Sequence, residues 1–300
     1  MVAELSAQDQ QREPDTIECV VCGAHASGSP LYRGLSRCRS CGHVSADMAL
    51  TDEQLVALYD DKFFAGAAYS DYAAEERLLR KNFRLRFRKL KQFLEPGRHQ
   101  RLFEIGSAYG FFLDEVRAEF SSVRGIDVSA AAVDYARDHF KLDVVQGDFL
   151  DDDYGDQKSD VVCLWDTIEH LRRPDRFVAK IADHTDPGAL LALTTGDIES
   201  LNARLRKDRW RMIIPPVHLH YFSGRTLTAL LRRFGFEVVY NHHCGFYRSL
   251  GNAVHNIVVV RHHKPWLFNQ LSKTGLTNLG FYLNLYDITY IIARRVSSTP

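Results

Sequence analysis

Leu102-Phe103-Glu104-Ile105-Gly106-Ser107-Ala108-Tyr109-Gly110 is an apolar run that breaks into a turn of small residues, and Gly125-Ile126-Asp127 places an acid seventeen residues after Gly110. An apolar strand, a turn whose backbone lets a ligand come close, and an acid ending the next strand describe a nucleotide-type cofactor. Such a cofactor sits at the first strand ends of a doubly wound sheet. A dinucleotide turn would read Gly-x-Gly-x-x-Gly, whereas here Gly106, Ala108 and Gly110 recur at two-residue steps, with Glu104 inside the strand.

Around this stretch short apolar strands alternate with helices. Strands are expected at Arg101 to Ile105, Val123 to Asp127, Val144 to Gln146, Asp160 to Trp165, Leu190 to Thr194 and Phe236 to Tyr240. Helices are expected at Tyr109 to Glu119, Ala130 to His139, Asp175 to Ala182 and Gly224 to Phe234. That alternation predicts an α/β fold with a right-handed parallel sheet. Two segments compete for the last strand, Asn256 to Val260 and Ile288 to Ala293. The second is preferred because it is β-branched and aromatic, which leaves residues 245 to 284 as a helical insertion.

Ahead of the sheet the pattern changes twice. Residues 1 to 15 read as a disordered leader, and residues 16 to 48 hold two Cys-x-x-Cys pairs with little apolar periodicity. Residues 49 to 97 are helical, with Thr51 able to cap a helix through Leu58 and a second helix running from Tyr72 to Leu94 before Pro96-Gly97. Residues 98 to 300 then form the main domain. Fifteen residues separate the pair Cys19 and Cys22 from the pair Cys38 and Cys41, the spacing of a four-thiolate zinc site. The glycine after each pair permits the tight turn that points backbone amides at the sulfurs. A closed site of this kind serves folding or docking, and it leaves no vacancy for His25 or His43.

The 300 residues carry 38 basic and 38 acidic side chains, so no global field favours a nucleic acid or an anionic bilayer, although local patches remain open. No stretch approaches a membrane span, and Met1 to Asp15 lacks the basic start and apolar run of a signal peptide. A cytoplasmic location is expected.

The two-residue glycine step, Asp127, Gly147-Asp148-Phe149 after the third strand, and the exit loop Asp166-Thr167-Ile168-Glu169-His170 together resemble class I S-adenosylmethionine-dependent methyltransferases. The resemblance runs over roughly Arg101 to Leu193 and resumes at His218-Leu219-His220-Tyr221-Phe222-Ser223. The nearest types are bacterial enzymes of sugar, glycan and natural-product pathways, some with a zinc-binding unit ahead of the catalytic domain. The resemblance implies a seven-stranded Rossmann-like sheet and S-adenosylmethionine held by Tyr72, Glu104, Gly106, Ser107, Ala108, Gly110, Asp127, Val128, Asp148, Phe149 and Trp165. Tyr69 and Tyr72 are the residues that would close over it. The pattern departs at Ala108, where the family has glycine.

Methyl transfer from a sulfonium needs orientation, plus a base when the nucleophile is a hydroxyl or an acidic carbon. Glu169 and His170 fall at the exit of the fourth strand, and His170 is the base candidate because a histidine titrates near working pH. His218 and His220 alternate along an extended segment, so both should point to the same face and at least one is expected to reach the acceptor pocket, a surface or packing role being the alternative; Trp210 is expected to wall that pocket. Arg204, Arg206, Lys207, Arg209 and Arg211 offer either a phosphate site or a solvated face. His242-His243 and His262-His263 point to nothing in particular.

A second use of the exit loop is metal binding. Glu-x-x-Glu-His runs hold a divalent ion in ubiquinone-pathway and small-RNA O-methyltransferases, and the run here is Asp166-x-x-Glu169-His170 with His218 or His220 in addition. Three function classes follow: small-molecule methyl transfer to oxygen or carbon, RNA methylation with the cysteine unit gripping RNA, and a binding protein with a degenerate turn. Arg33, Arg37 and Arg39 favour the second; the neutral total and the lack of an aromatic-basic platform oppose it.

Overall fold

The computed structural model describes residues 18–25, 28–32, 34–47, 75–151, 158–255 and 279–296, with Trp266 and Gln270 as isolated positions. The leader, the helix expected after Thr51, Tyr69, Tyr72 and the segment Asn256 to Val260 lie outside them. In chain order the elements are β1 (Ser29–Tyr32), β2 (Leu35–Arg37), β3 (Val44–Ala46), α1 (Glu76–Leu90), β4 (Arg101–Ile105), α2 (Phe111–Val116) and β5 (Ser122–Asp127). There follow α3 (Ala130–Phe140), β6 (Asp143–Gln146), β7 (Ser159–Trp165), α4 (Pro174–Asp183), β8 (Thr185–Gly196), α5 (Leu201–Arg206) and β9 (His220–Tyr221). The last are α6 (Gly224–Arg233), β10 (Phe236–His243), β11 (Phe246–Ser249), α7 (Leu250–His255), β12 (Gly280–Leu283) and β13 (Ile288–Arg295).

Seven strands form one sheet in the order β10-β13-β8-β7-β4-β5-β6. The expected parallel alternation holds for β4 to β8 and fails at one strand, since β13 runs antiparallel to both β8 and β10. The reason is the connection: the chain re-enters the sheet at the end where β10 leaves it, with Cys244 N–H donating to Ile288 O at 2.9 Å. The expected insertion is also not purely helical, because β11 and β12 pair as a hairpin-like ribbon on either side of it.

Helices cover both faces. On one, Phe177, Val178 and Ile181 of α4 and Leu227, Leu230 and Leu231 of α6 pack on Phe103, Val162, Leu191 and Ile291. On the other, Phe83, Phe87 and Leu90 of α1 join Phe111, Phe112 and Leu113 of α2 and Val133 and Ala136 of α3. Ser223 starts α6 with a reciprocal cap, its oxygen accepting from Thr226 N–H while Thr226 Oγ1 accepts from Ser223 N–H. Each of the three fully buried leucines of α6 contributes about 2 kcal/mol.

The cysteine unit is joined to this body. β9 pairs with β3 and completes a four-stranded sheet β1-β2-β3-β9. Val20 and Val21 belong to the core of the α4/α6 face, and Leu35 and Val44 pack with Ile198, Trp210 and Tyr221. A boundary at residue 48 therefore divides the sequence but not the packing.

Candidate active site

The turn after β4 is built on two left-handed glycines. Gly106 has φ +74°, and a Cβ there would lie 2.7 Å from Thr167 Oγ1, so the loop leaving β7 rests directly on the turn. Gly110 has φ +75°, and its Cβ would meet Leu142 Cδ1 at 2.6 Å. Ala108 adopts φ +45°, a region that costs a non-glycine residue about 1 kcal/mol. Its amide donates to Asp127 Oδ2 at 2.7 Å, and Ser129 N–H donates to Oδ1 at 2.9 Å. Asp127 thus clamps the turn with one lone pair of each oxygen.

Two buried polar atoms at the turn have no partner, Glu104 Oε2 and Ser107 Oγ. Burial, with the Asp127 charge added, pushes the Glu104 carboxyl well above the usual carboxylate range, and Arg86 opposes this. A ligand carrying an ammonium group beside Glu104 and hydroxyls beside Asp127 would satisfy both acids, so the turn fits S-adenosylmethionine. Val128 stands at the rim, 36% exposed. Asp148 is exposed and accepts Leu150 N–H at 2.8 Å.

Two expected cofactor contacts are turned elsewhere. Phe149 is buried in the core between Phe103 and Phe177, at centroid distances of 6.0 and 5.5 Å, because the apolar ring gains more from that face than from the strand-end rim. Trp165 is likewise buried, edge-on to Phe112 and Tyr290, with the Arg86 guanidinium over its ring at 5.5 Å.

The exit loop of β7 gathers the titratable groups. Asp166 pairs with Arg86 of α1 at 2.6 Å and accepts Thr194 Oγ1–H at 2.9 Å. Burial opposes its ionisation, but Arg86 and Thr194 outweigh it and hold the carboxyl below its ordinary value. Glu169, His170 and His218 each offer a ligand atom within 4.8 Å of the others. His170 Nδ1–H donates to Val217 O and His218 Nδ1–H to Met212 O, both at 2.8 Å, and the His170 ring also lies against the Asp166 backbone.

Burial keeps both rings neutral. It lowers His170 below the ordinary histidine value, and it lowers His218, helped by His170, to about 3. Burial and the Asp166 charge raise Glu169 to about 8; Thr195 lies close enough to temper that rise, yet neither Glu169 oxygen has a partner in hydrogen-bonding geometry.

His220 does not join this group. Residues 214 to 218 turn rather than extend, with Val217 and His218 N–H both donating to Ile214 O, so strand alternation begins only at His220. His43 Nε2–H donates to His220 Nδ1 at 3.1 Å, and His220 Nε2–H donates to Arg172 O at 3.3 Å. The pair ties the cysteine unit to the sheet. Trp210 is also not a pocket wall: it is buried, and its Nε1–H donates to Asp287 at 2.9 Å. His243 donates to Asp197 at 2.9 Å.

Arg86 escaped the sequence reading. It lies on the same helix face as Phe83, Phe87 and Leu90, a charged residue at buried-stripe spacing, which was the available signal. Asp197 and Asp287, which anchor the loop after β8, carry no local pattern at all.

The four thiols cluster as expected. Cys19 and Cys41 Sγ are 3.6 Å apart and Cys22 and Cys38 Sγ 3.8 Å, matching the roughly 3.8 Å edge of a tetrahedron with zinc–sulfur bonds of about 2.3 Å. Gly23 and Gly42, at φ +71° and +78°, donate to Cys19 O and Cys38 O and close the two turns. Burial pushes the Cys19 thiol up to about 11 and the Cys41 thiol beyond the usual range, whereas Cys38, buried less, is drawn by the Cys41 and Ser40 amides to about 7. A bound cation would offset the burial that opposes ionisation of Cys19 and Cys41. His43, committed to His220, is not a ligand.

A methyltransferase domain family model matches residues 77–241, more than half of the chain, and the chain belongs to that family. It is an S-adenosylmethionine-dependent methyltransferase with the class I fold. Similar solved structures include a methyltransferase from Haloferax volcanii in complex with the Trm112 methyltransferase activator, at 14% identity over 77% of this chain and 97% of that one, TM-score 0.52. A protein described as a sarcosine dimethylglycine methyltransferase from Galdieria sulphuraria matches at 15% over 72% and 86%, TM-score 0.50. Phosphoethanolamine N-methyltransferase 2 of Haemonchus contortus, in complex with S-adenosylmethionine, matches at 14% over 79% and 60%, TM-score 0.50. At these identities the likeness is one of fold. No curated protein gives a significant sequence match. No helix among the described residues is long and apolar enough to cross a membrane.

Proposed function

We propose that the enzyme methylates an oxygen or acidic carbon of a small-molecule acceptor of the sugar, nucleotide-sugar or natural-product type, with His170 as general base. One observation supports this: the β7 exit loop rests through Thr167 on Gly106 of the turn, and His170, three residues further along that loop, is a buried imidazole anchored by its Nδ1–H on Val217 O at 2.8 Å. When bound, S-adenosylmethionine supplies the electrophilic methyl group. Glu104 would face its ammonium and Asp127 its ribose, and His170 would take the acceptor proton. The test is transfer of labelled methyl to a panel of sugar, nucleotide-sugar and polyketide hydroxyls. His170→Ala should keep donor affinity and lose turnover; turnover within a few fold of the parent would remove the base.

A second reading is favoured by the partnerless oxygens of Glu169: with His170 and His218 they would accept a divalent ion that activates the acceptor hydroxyl. The backbone carbonyls on both Nδ1 atoms are the outer partners such ligands need. Metal analysis separates the readings, since one zinc per chain at the four cysteines fits the base and two ions, falling to one in Glu169→Ala, fit the metal. The four-cysteine site is proposed to hold structural zinc.

A further inference from the structure

α5 leaves both of its leucines in solvent, Leu201 at 72% and Leu205 at 74% exposure. Residues four apart share a helix face, so the two form one apolar stripe. Ile214, 45% exposed, and Tyr286, 64% exposed, stand on segments tied to the same base. That base is the buried Asp287 carboxylate, which accepts Asn202 Nδ2–H at 2.7 Å, Trp210 Nε1–H at 2.9 Å and Arg211 Nη2–H at 2.8 Å. The stripe is therefore held rigidly outward.

Charge surrounds it. Arg204, Arg206, Lys207 and Arg209 are all exposed, against the single acid Asp208, in a chain whose total charge is zero. Among the described residues no carboxylate pairs with Arg204, Lys207 or Arg209. Protruding leucines between long basic side chains suit a soft anionic surface: the leucines enter the acyl boundary while the cations reach back to phosphates. A protein partner would instead need pockets shaped to two fixed leucines. α5 also leaves β8 at the strand's C-terminal end, where the neighbouring β7 carries the Asp166–His170 loop.

We propose that α5 and its basic flank dock this enzyme on an anionic lipid surface, with the active-site end of the sheet turned toward it. The proposal stands apart from the choice of acceptor and of base. The full chain is sedimented with vesicles of phosphatidylcholine alone and of phosphatidylcholine with phosphatidylglycerol. Binding is expected only to the anionic vesicles and should weaken as salt rises. A Leu201→Glu/Leu205→Glu variant, altering two solvent-exposed side chains, should melt as the parent does and bind the vesicles about tenfold less or weaker. Failure of the parent to bind anionic vesicles, or equal binding by the variant, overturns the proposal. So does a vesicle-indifferent dimer that dissociates in the variant, which would give the face to a second copy.

Discussion

His218 and His220 stand two residues apart, both buried and both held neutral, yet they belong to different structures. His218 joins Glu169 and His170 around two partnerless carboxyl oxygens, while His220 is consumed in a relay from His43 to Arg172 O. Both keep buried atoms without a partner, the two Glu169 oxygens in one and His43 Nδ1 in the other, but only the first brings three ligand-capable side chains together. A buried carboxyl with both oxygens unpartnered, beside two imidazoles, marks where a ligand acts, and a pair spanning two units and ending on a backbone carbonyl marks a joint.

The largest effects should fall on the first cluster. His170→Ala is expected to lower turnover about 10²- to 10⁴-fold, whereas His220→Ala should leave turnover per folded molecule within a few fold. Equal losses in both would erase the distinction. Because burial holds His170 below the ordinary histidine value, the acid limb of kcat should also fall below pH 6.5.

Next comes the joint. Cys38→Ser should lose the metal and cost about 4 kcal/mol or more, the scale reserved for lost metals. Because Val20 and Val21 lie in the sheet's core and β3 pairs with β9, a single cooperative melt at lower temperature is expected. Two separated transitions would show that the cysteine unit folds alone. His43→Phe, which leaves His220 without its donor, should cost about 1–3 kcal/mol.

With pH, the four histidines share one sign and Glu169 has the other. The folded state holds His220 near 4 and His43 well below 6.5, so below pH 6.5 the unfolded chain binds protons that the folded chain refuses, and stability falls on acidification. Glu169, raised to about 8, has the opposite sign: its contribution is complete below the ordinary carboxylate value of 4.5 and is lost as pH rises through 8. Glu169→Gln should therefore gain stability relative to the parent as pH rises, measured by thermal melts at pH 6 and pH 9.

How much was legible in the chain follows the same division. The turn, Asp127, the strands from β4 to β8 and the cysteine spacing depend on local pattern, and they were readable. The antiparallel return of β13 depends on where the insertion re-enters, which no period records. Phe149 and Trp165 are buried in the two cores, because a family position says where the backbone runs while core packing decides where a large apolar ring points. His220 was misread because extended alternation was assumed from residue 218, two residues too early. Arg86 and Asp287 act across 80 and 85 residues, on Asp166 and Asn202.

The smallest expected effect is at Ala108. Ala108→Gly should stabilise the turn by at most about 1 kcal/mol by relieving the left-handed conformation, offset by the added freedom of glycine in the unfolded chain. A loss of more than that would mean the methyl group packs against something the turn needs.

The most direct measurement is calorimetric titration of S-adenosylmethionine into the parent chain and into Asp127→Asn. The turn from Gly106 to Gly110, clamped by Asp127 and opposed by the orphaned Glu104, should bind one equivalent, and the amide, which replaces one acceptor oxygen with a donor, should weaken binding about tenfold or more. No saturable binding by the parent, or unchanged affinity in the variant, would contradict the assignment of the turn as the donor site.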